Sequence, residues 1–171
     1  MTSDFDLTGK VAIVTGGNGG IGYGIARGLA RAGANIVVAA RQPAKSAQAI
    51  AALREIGVKA LSVMTDVQDE AAVQAMVHAT VETFGRVDIL VNNAGINIRK
   101  APQDYTLAEW QRVLNTNLTG VFLCSRAAYP CMLKGGGGKI INIGSMASLF
   151  GLPYAPAYAA SKGGVVQLGR A

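Results

Sequence analysis

A doubly wound α/β sheet of parallel strands is the fold class the sequence predicts, and three observations predict it. Short apolar, β-branched runs recur along the chain: Val11-Ala12-Ile13-Val14, the 35–39 and 60–65 segments, Ile89-Leu90-Val91 and Ile140-Ile141-Asn142-Ile143. Between them lie longer stretches whose apolar residues return at helical spacing, such as Ile21, Ile25 and Leu29, or Val73, Met76, Val77, Val81 and Phe84. Near-continuous apolar strands alternating with helical periods are the pattern of a parallel sheet covered on both faces. With half of its 171 residues apolar, the chain is long enough for one substantial core, so residues 1–171 are expected to form a single domain.

The totals exclude several classes. Charged residues are only 15% of the chain, too few for a disordered tail or a coiled coil. The formal charge is +6, but Lys10, Arg27, Arg41, Arg54, Arg86, Arg99 and Lys134 are scattered, which argues against nucleic acid and fits a binder of anionic small molecules. Cys124 and Cys131 fall on one expected helix and read as thiols of a reducing compartment; no metal is implied. The 1–9 segment carries Asp4 and Asp6 and lacks a signal-peptide core, and no run approaches the ~20 apolar residues of a membrane span. The expectation is a cytoplasmic protein without membrane association.

Each element follows in order. The first strand runs directly into Thr15-Gly16-Gly17-Asn18-Gly19-Gly20-Ile21-Gly22, and the helical period that follows ends at Gly33. Strand, glycine turn and helix make a dinucleotide site: small residues let backbone approach a pyrophosphate, and the helix N-terminus favours its charge. Gly16, Asn18, Gly20, Ile21 and Gly22 are the candidates there. The second strand, 35–39, leads to Ala40-Arg41-Gln42, where an acid would accept from a ribose 2′-OH and an arginine pairs with a 2′-phosphate. Arg41 therefore predicts a preference for NADP. A helix over 43–56 ends at Gly57, and the third strand, 60–65, delivers Asp66 and Val67 either to the adenine ring or, for Asp66, to the cap of the next helix. His78, the only histidine, is expected to be structural or on the surface, which removes histidine-based nucleophilic mechanisms.

The fourth strand ends in Asn92-Asn93-Ala94-Gly95, where small residues and an asparagine amide floor the crevice; Asn93, Ala94 and Gly95 are its cofactor candidates. Thr106-Leu107-Ala108-Glu109 has the form of a capping box. A further helix is expected to begin near Asn117 and run toward Met132, before the 134–138 turn. The fifth strand is expected to be buried, and it breaks at Gly144-Ser145, placing the Ser145 hydroxyl at the carboxyl end of the sheet, where ligands bind. Tyr158 and Lys162 are four residues apart, so on a helix they share one face and the ammonium favours the phenolate, which suits the phenol to proton transfer.

Thr15-Gly16-x-x-x-Gly20-x-Gly22, Asn92-Asn93-Ala94-Gly95, Asn117, Ser145 and Tyr158-x-x-x-Lys162, in that order along essentially the whole chain, resemble the short-chain dehydrogenase/reductase family. The resemblance implies a Rossmann fold and hydride transfer between NADP or NAD and a carbonyl or secondary alcohol. It implies Tyr158 as general acid/base, Ser145 as hydrogen-bond partner of the substrate oxygen, Lys162 on the nicotinamide ribose, and Asn117 holding a water of the proton relay. Tyr158 and Lys162 thus count among the cofactor contacts as well. It also implies a homotetramer or homodimer joined through the helices starting near Asn117 and Tyr158. Many NADP-using members carry a basic residue inside the glycine turn; here Asn18-Gly19 stands there, and the preference rests on Arg41.

Asn97-Ile98-Arg99-Lys100 looks like sugar-acid dehydrogenases such as gluconate 5-dehydrogenases, with 3-oxoacyl-carrier-protein reductases as the alternative. Family chains continue past the position of Ala171. The fold is therefore expected to be truncated after the fifth strand and part of the following helix, with that strand left as an edge. The 171-residue chain alone is expected not to turn over substrate, and a catalytically inactive nucleotide-binding or interaction module is the alternative function.

Overall fold

The computed structural model of the protein describes residues 5–171; the expectation for residues 1–4 lies outside the described residues. β1 (Val11–Thr15) leads through α1 (Gly20–Arg31) to β2 (Asn35–Ala40), α2 (Pro43–Arg54), β3 (Ala60–Met64), α3 (Glu70–Phe84) and β4 (Ile89–Asn92). α4 (Leu107–Leu114) and α5 (Gly120–Lys134) follow, then β5 (Lys139–Asn142) and α6 (Pro156–Leu168). The strands form one parallel sheet in the order β3-β2-β1-β4-β5. The winding direction reverses between β3 and β4, which opens a crevice beyond the carboxyl ends of β1 and β4, the place where open α/β sheets bind ligands.

The three central strands are buried on both faces, and their side chains alternate between two cores. Val11, Ile13, Val37, Ala39 and Leu90 meet Val73, Met76 and Val77 of α3 and Cys124, Ala128 and Met132 of α5. Ala12, Val14, Ile36, Val38, Ile89 and Val91 meet Ala26 and Ala30 of α1 and Ile50 and Leu53 of α2. The near-continuous apolar runs follow from this double burial, since every residue of such a strand faces a helix layer. Cys124 belongs to the first core, and burial pushes its thiol up to about 12; neither it nor Cys131 is bridged. No helix among the described residues is long and apolar enough to cross a membrane.

Caps account for the element starts. Asp69 accepts from the Ala71 and Ala72 amides (2.9 and 3.3 Å) and begins α3, and the Thr106/Glu109 capping box begins α4 as expected. Gly33, Gly57 and Gly85 take positive φ just past α1, α2 and α3.

Two expectations need correction. β5 is not buried: Ile140 and Ile141, on opposite faces, are 37% and 44% exposed. It pairs with β4 alone and its outer side is unpaired among the described residues, as the edge position implied. An apolar run reports the side chains a strand carries, not how many neighbours it meets. Nor does a helix begin at Asn117. The chain passes from α4 to α5 through a π-turn over Asn115–Thr119, so Asn117 lies in the middle of a continuous helical rod. A residue inserted into the helical repeat swings its side chain out of the regular stripe, and periodicity across such a break reads as a new start.

Candidate active site

The crevice is built on Thr15, the last residue of β1. Its hydroxyl donates to the Val91 carbonyl (3.3 Å) and accepts from the Asn93 and Ala94 amides (both 3.0 Å), locking the end of β4 beside the glycine turn. The Asn93 amide group donates to the carbonyls of Thr15 (2.9 Å) and Gly16 (3.4 Å). Gly22 lies directly against this contact: a Cβ there would stand 2.3 Å from Asn93 Nδ2 and 2.4 Å from the Gly16 oxygen. Gly22 and Asn93 thus shape the wall from behind. Gly20, with φ +53, faces open space at the start of α1, where the backbone N-H groups of the first turn are free to meet an anion.

In front of this wall lies a cleft of about 210 Å³. Of the residues expected at a cofactor, Gly16, Asn18, Arg41, Asp66, Val67, Ala94 and Gly95 line it, together with Ala39, Ala40, Gln42, Thr65, Ile96 and Thr116. Ile21 stands 71% exposed at the start of α1 and does not line it, nor do Gly20, Gly22 and Asn93. Asp66 does not cap α3, because Asp69 does. It accepts from the Gln68 amide (3.1 Å) and pairs with Arg41 across the cleft at 3.6 Å. Small side chains, free N-H groups at a helix start and no acid in its first turn suit the cleft to the adenosine and pyrophosphate of a dinucleotide.

The second half of the site hangs from α6. Pro156 starts the helix at its first position, and Tyr158 and Lys162 share its face, with Lys162 Nζ 5.8 Å from the Tyr158 ring centroid. Lys162 is only 6% exposed; its ammonium donates to the Ile143 carbonyl, just beyond β5. Burial lowers its pKa from the ordinary lysine range, and no carboxylate pairs with it among the described residues. Ser145 is half-buried at the head of a short 3₁₀ turn, Met146–Ser148, with its hydroxyl accepting from the Ala147 amide at 3.1 Å.

Asn117 joins the two halves. Fully buried in the π-turn, it accepts from the Ile96 amide (2.8 Å) and donates to the Ile96 carbonyl (2.9 Å) and to Ser161 Oγ (3.1 Å). Ser161 in turn donates to the Tyr158 carbonyl at 2.7 Å. Ile96 lines the cleft and Tyr158 heads α6, so one asparagine fixes the spacing between the cleft wall and the tyrosine helix.

A model of the short chain dehydrogenase family matches residues 10–171. The chain belongs to that family. It is 46% identical over 95% of its length to an uncharacterized oxidoreductase of Thermotoga maritima, spanning 63% of that relative. It is 41% identical over 99% of its length to the 2-dehydro-3-deoxy-D-gluconate 5-dehydrogenase of Escherichia coli, spanning 67% of it. The solved structure of an NAD+-bound xylitol dehydrogenase superposes with a TM-score of 0.92 at 38% identity, covering 97% of this chain and 64% of the other. The chain thus spans about two thirds of the length of these relatives.

Within this dehydrogenase fold, one residue of the site escaped the sequence pattern and another was read without its contacts. Ser161 is a buried hydroxyl that no spacing rule marks, its place beside Lys162 being the available signal; Thr15 opens the glycine motif, but its ties to the end of β4 were not legible. The two basic residues of the Asn97-Ile98-Arg99-Lys100 segment differ in their surroundings. Arg99 is exposed, whereas Lys100 Nζ is bound to Glu109 at 2.7 and 2.9 Å, and its backbone amide donates to the Tyr154 carbonyl at 2.8 Å. Lys100 is therefore a strap: it ties the loop after β4 to α4 and to the loop before α6. His78, as expected, is remote, pairing with Glu82 on the surface of α3.

The Lys100 strap titrates. The Lys100 ammonium, then the Thr106 amide, hold the Glu109 carboxylate down at about 2, against an ordinary value of 4.5. A depressed carboxylate contributes stability that is complete above its unfolded value and is lost as pH falls through the folded one. Thermal melts from about pH 5 down to about 2 should therefore show the parent losing stability that Glu109→Gln, already lacking the charge, does not lose. Parallel acid limbs in the two proteins would show that the pair adds nothing.

Proposed function

We propose that the protein is an oxidoreductase that moves a hydride between a nicotinamide dinucleotide, with NADP preferred, and a carbonyl or secondary alcohol. The observation that carries this reading is the seating of Lys162: a buried ammonium with the Ile143 backbone carbonyl for partner, beside the ring of Tyr158, whose own backbone carbonyl ends a hydrogen-bond chain that begins at Ile96 in the cleft wall.

The cofactor, when bound, supplies or accepts the hydride. The chain's own residues do the rest. Gly16, Asn18, Ala94 and Gly95 offer close backbone approach along the cleft, and the start of α1 receives the pyrophosphate. Lys162, poorly solvated and lacking a carboxylate, is suited to a ribose hydroxyl and to stabilising negative charge on the Tyr158 oxygen. Tyr158 gives its proton to a substrate oxygen in reduction and takes it back in oxidation. Ser145, at the carboxyl end of the sheet, holds that oxygen, and Asn117 sets the position of α6 through Ser161. The two free thiols support a reducing, cytoplasmic setting.

The tyrosine role is checked in an active form of the protein. Tyr158→Phe should lower activity at least about 10²-fold while leaving dinucleotide affinity nearly unchanged, since it removes a proton and little binding surface. Activity near the parent level would exclude Tyr158 as acid/base.

The NADP preference rests on Arg41 at the lip of the cleft and on the absence of an acid beside it after β2. Arg41 is about half exposed, so its contact with a 2′-phosphate should contribute only about 1 kcal/mol to a preference for NADPH over NADH, and Arg41→Ala should lower that preference by about this amount. Equal dissociation constants in the parent would refute the preference.

For substrate we propose small sugar acids, an inference supported by the relative named for 2-dehydro-3-deoxy-D-gluconate and by Arg99, exposed and without an ion-pair partner among the described residues. An exposed cation in the loop after β4 can attract a carboxylate. Keto or hydroxy sugar acids should outperform their neutral counterparts in a substrate panel, and parity between the two sets would end this proposal.

A further inference from the structure

One cation near the cleft has no assigned work. Lys45 lies in the first turn of α2, and its ammonium rests over the glycine turn: a Cβ on Gly19 would stand 2.4 Å from Lys45 Nζ and 2.6 Å from its Cε. Gly19 is extended, with φ −177, a conformation open to any residue, so backbone geometry does not demand glycine there. What the missing side chain leaves is room, and Lys45 fills it.

The placement is held by more than the lysine's own long chain. Asn18, which lines the cleft, donates to Ser46 Oγ (3.1 Å) and to the Gln42 carbonyl (3.5 Å), docking the first turn of α2 onto the glycine turn. Ser46 is 1% exposed, so this junction is fixed. Arg41 reaches the same lip from the end of β2 and is shared with Asp66 at 3.6 Å, whereas Lys45 has no ion-pair partner among the described residues. Arg41, shared with Asp66, therefore lines the cleft, while Lys45, free of an ion pair, lies over Gly19 in a neighbouring depression that shares Asn18 with the cleft. A phosphomonoester carries close to two negative charges near neutral pH, more than Arg41 alone balances.

We propose that Lys45 is the second cation of the ribose-phosphate end of the site, reaching across Gly19 to grip a 2′-phosphate opposite Arg41. The proposal rests on the NADP reading given above and deepens it: Lys45 makes the distinction between NADP and NAD jointly with Arg41, and Gly19 is the residue that admits it.

The test is equilibrium binding of two probes, 2′,5′-ADP and 5′-AMP, which differ in the 2′-phosphate, to the 171-residue chain and to Lys45→Gln, Lys45→Arg and Arg41→Ala. Lys45→Gln should weaken 2′,5′-ADP about fivefold, the upper end for an exposed ion pair, and leave 5′-AMP unchanged; Lys45→Arg should restore most of the loss. Loss of affinity for both probes alike would assign Lys45 a merely structural role and overturn the proposal. A loss with Arg41→Ala but none with Lys45→Gln would overturn it while the NADP reading stood. If the parent binds the two probes equally, the NADP reading itself fails and this inference with it.

Discussion

Everything at this site depends on a contact with no spare volume: the Asn93 amide group wedged between Gly22 and the carbonyls of Thr15 and Gly16. The 2.3 Å that would separate a Gly22 Cβ from Asn93 Nδ2 means that no other residue fits without moving the strand end or the turn. Because Thr15 closes the same junction from the other side, the glycine turn and the end of β4 behave as one rigid piece. A parallel sheet leaves its strand ends individually free, and this junction between β1 and β4 helps turn four strand ends into a shaped cleft. The glycines of the motif therefore divide by work: Gly22 packs, Gly16 takes a turn conformation close against Ala94, Gly20 opens the helix start, and Gly19 leaves room for a neighbour's side chain.

The second constraint is the π-turn at Asn115–Thr119. A regular helix continued through this region would carry position 117 onward along its own stripe; the inserted residue aims Asn117 into the protein, where both of its amide hydrogens and its side-chain oxygen are bonded to Ile96 and Ser161. An asparagine this buried is costly unless satisfied, and here it is fully paired, so the arrangement is rigid rather than strained. The consequence is mechanical. Movement of α6, and with it of Tyr158 and Lys162, is resisted by the cleft wall through Asn117, so these two side chains keep their register to whatever occupies the cleft.

Which features were legible in the sequence follows from the kind of signal each one leaves. The strands and helices were, because double burial writes long apolar runs and helical periods into β1, β2, β4 and α3, and the capping box announces α4. The glycine turn and the Tyr158/Lys162 pair were, because they combine rare residue types at short spacing. The π-turn was not, since it shifts the helical phase without changing residue types, and it made Asn117 look like a helix start. The exposure of β5 was not, because Ile140 and Ile141 have the composition of a strand covered on both faces, while both side chains stand partly open. The strap from Lys100 to Glu109 was hidden for another reason: the two charges lie nine residues apart across a loop, and only the capping of α4 by Thr106 brings them together.

The charges around the cleft show why composition alone pointed only to an anion and structure points to a place. Of the cations near the crevice, Lys100 is consumed by Glu109, Arg41 is shared with Asp66, and Lys162 is buried against a backbone carbonyl. Each has a partner in the fold, that of Arg41 being the weakest. Exposed ion pairs such as Arg41–Asp66 have little net strength, so an incoming phosphate can draw Arg41 from Asp66 at small cost, whereas a sugar hydroxyl, being neutral, has far less with which to compete. Asp66 then stays free to accept from a base or a ribose. The pair thus holds Arg41 at the cleft lip, and the proposed preference for a 2′-phosphate would act through that exchange together with Lys45.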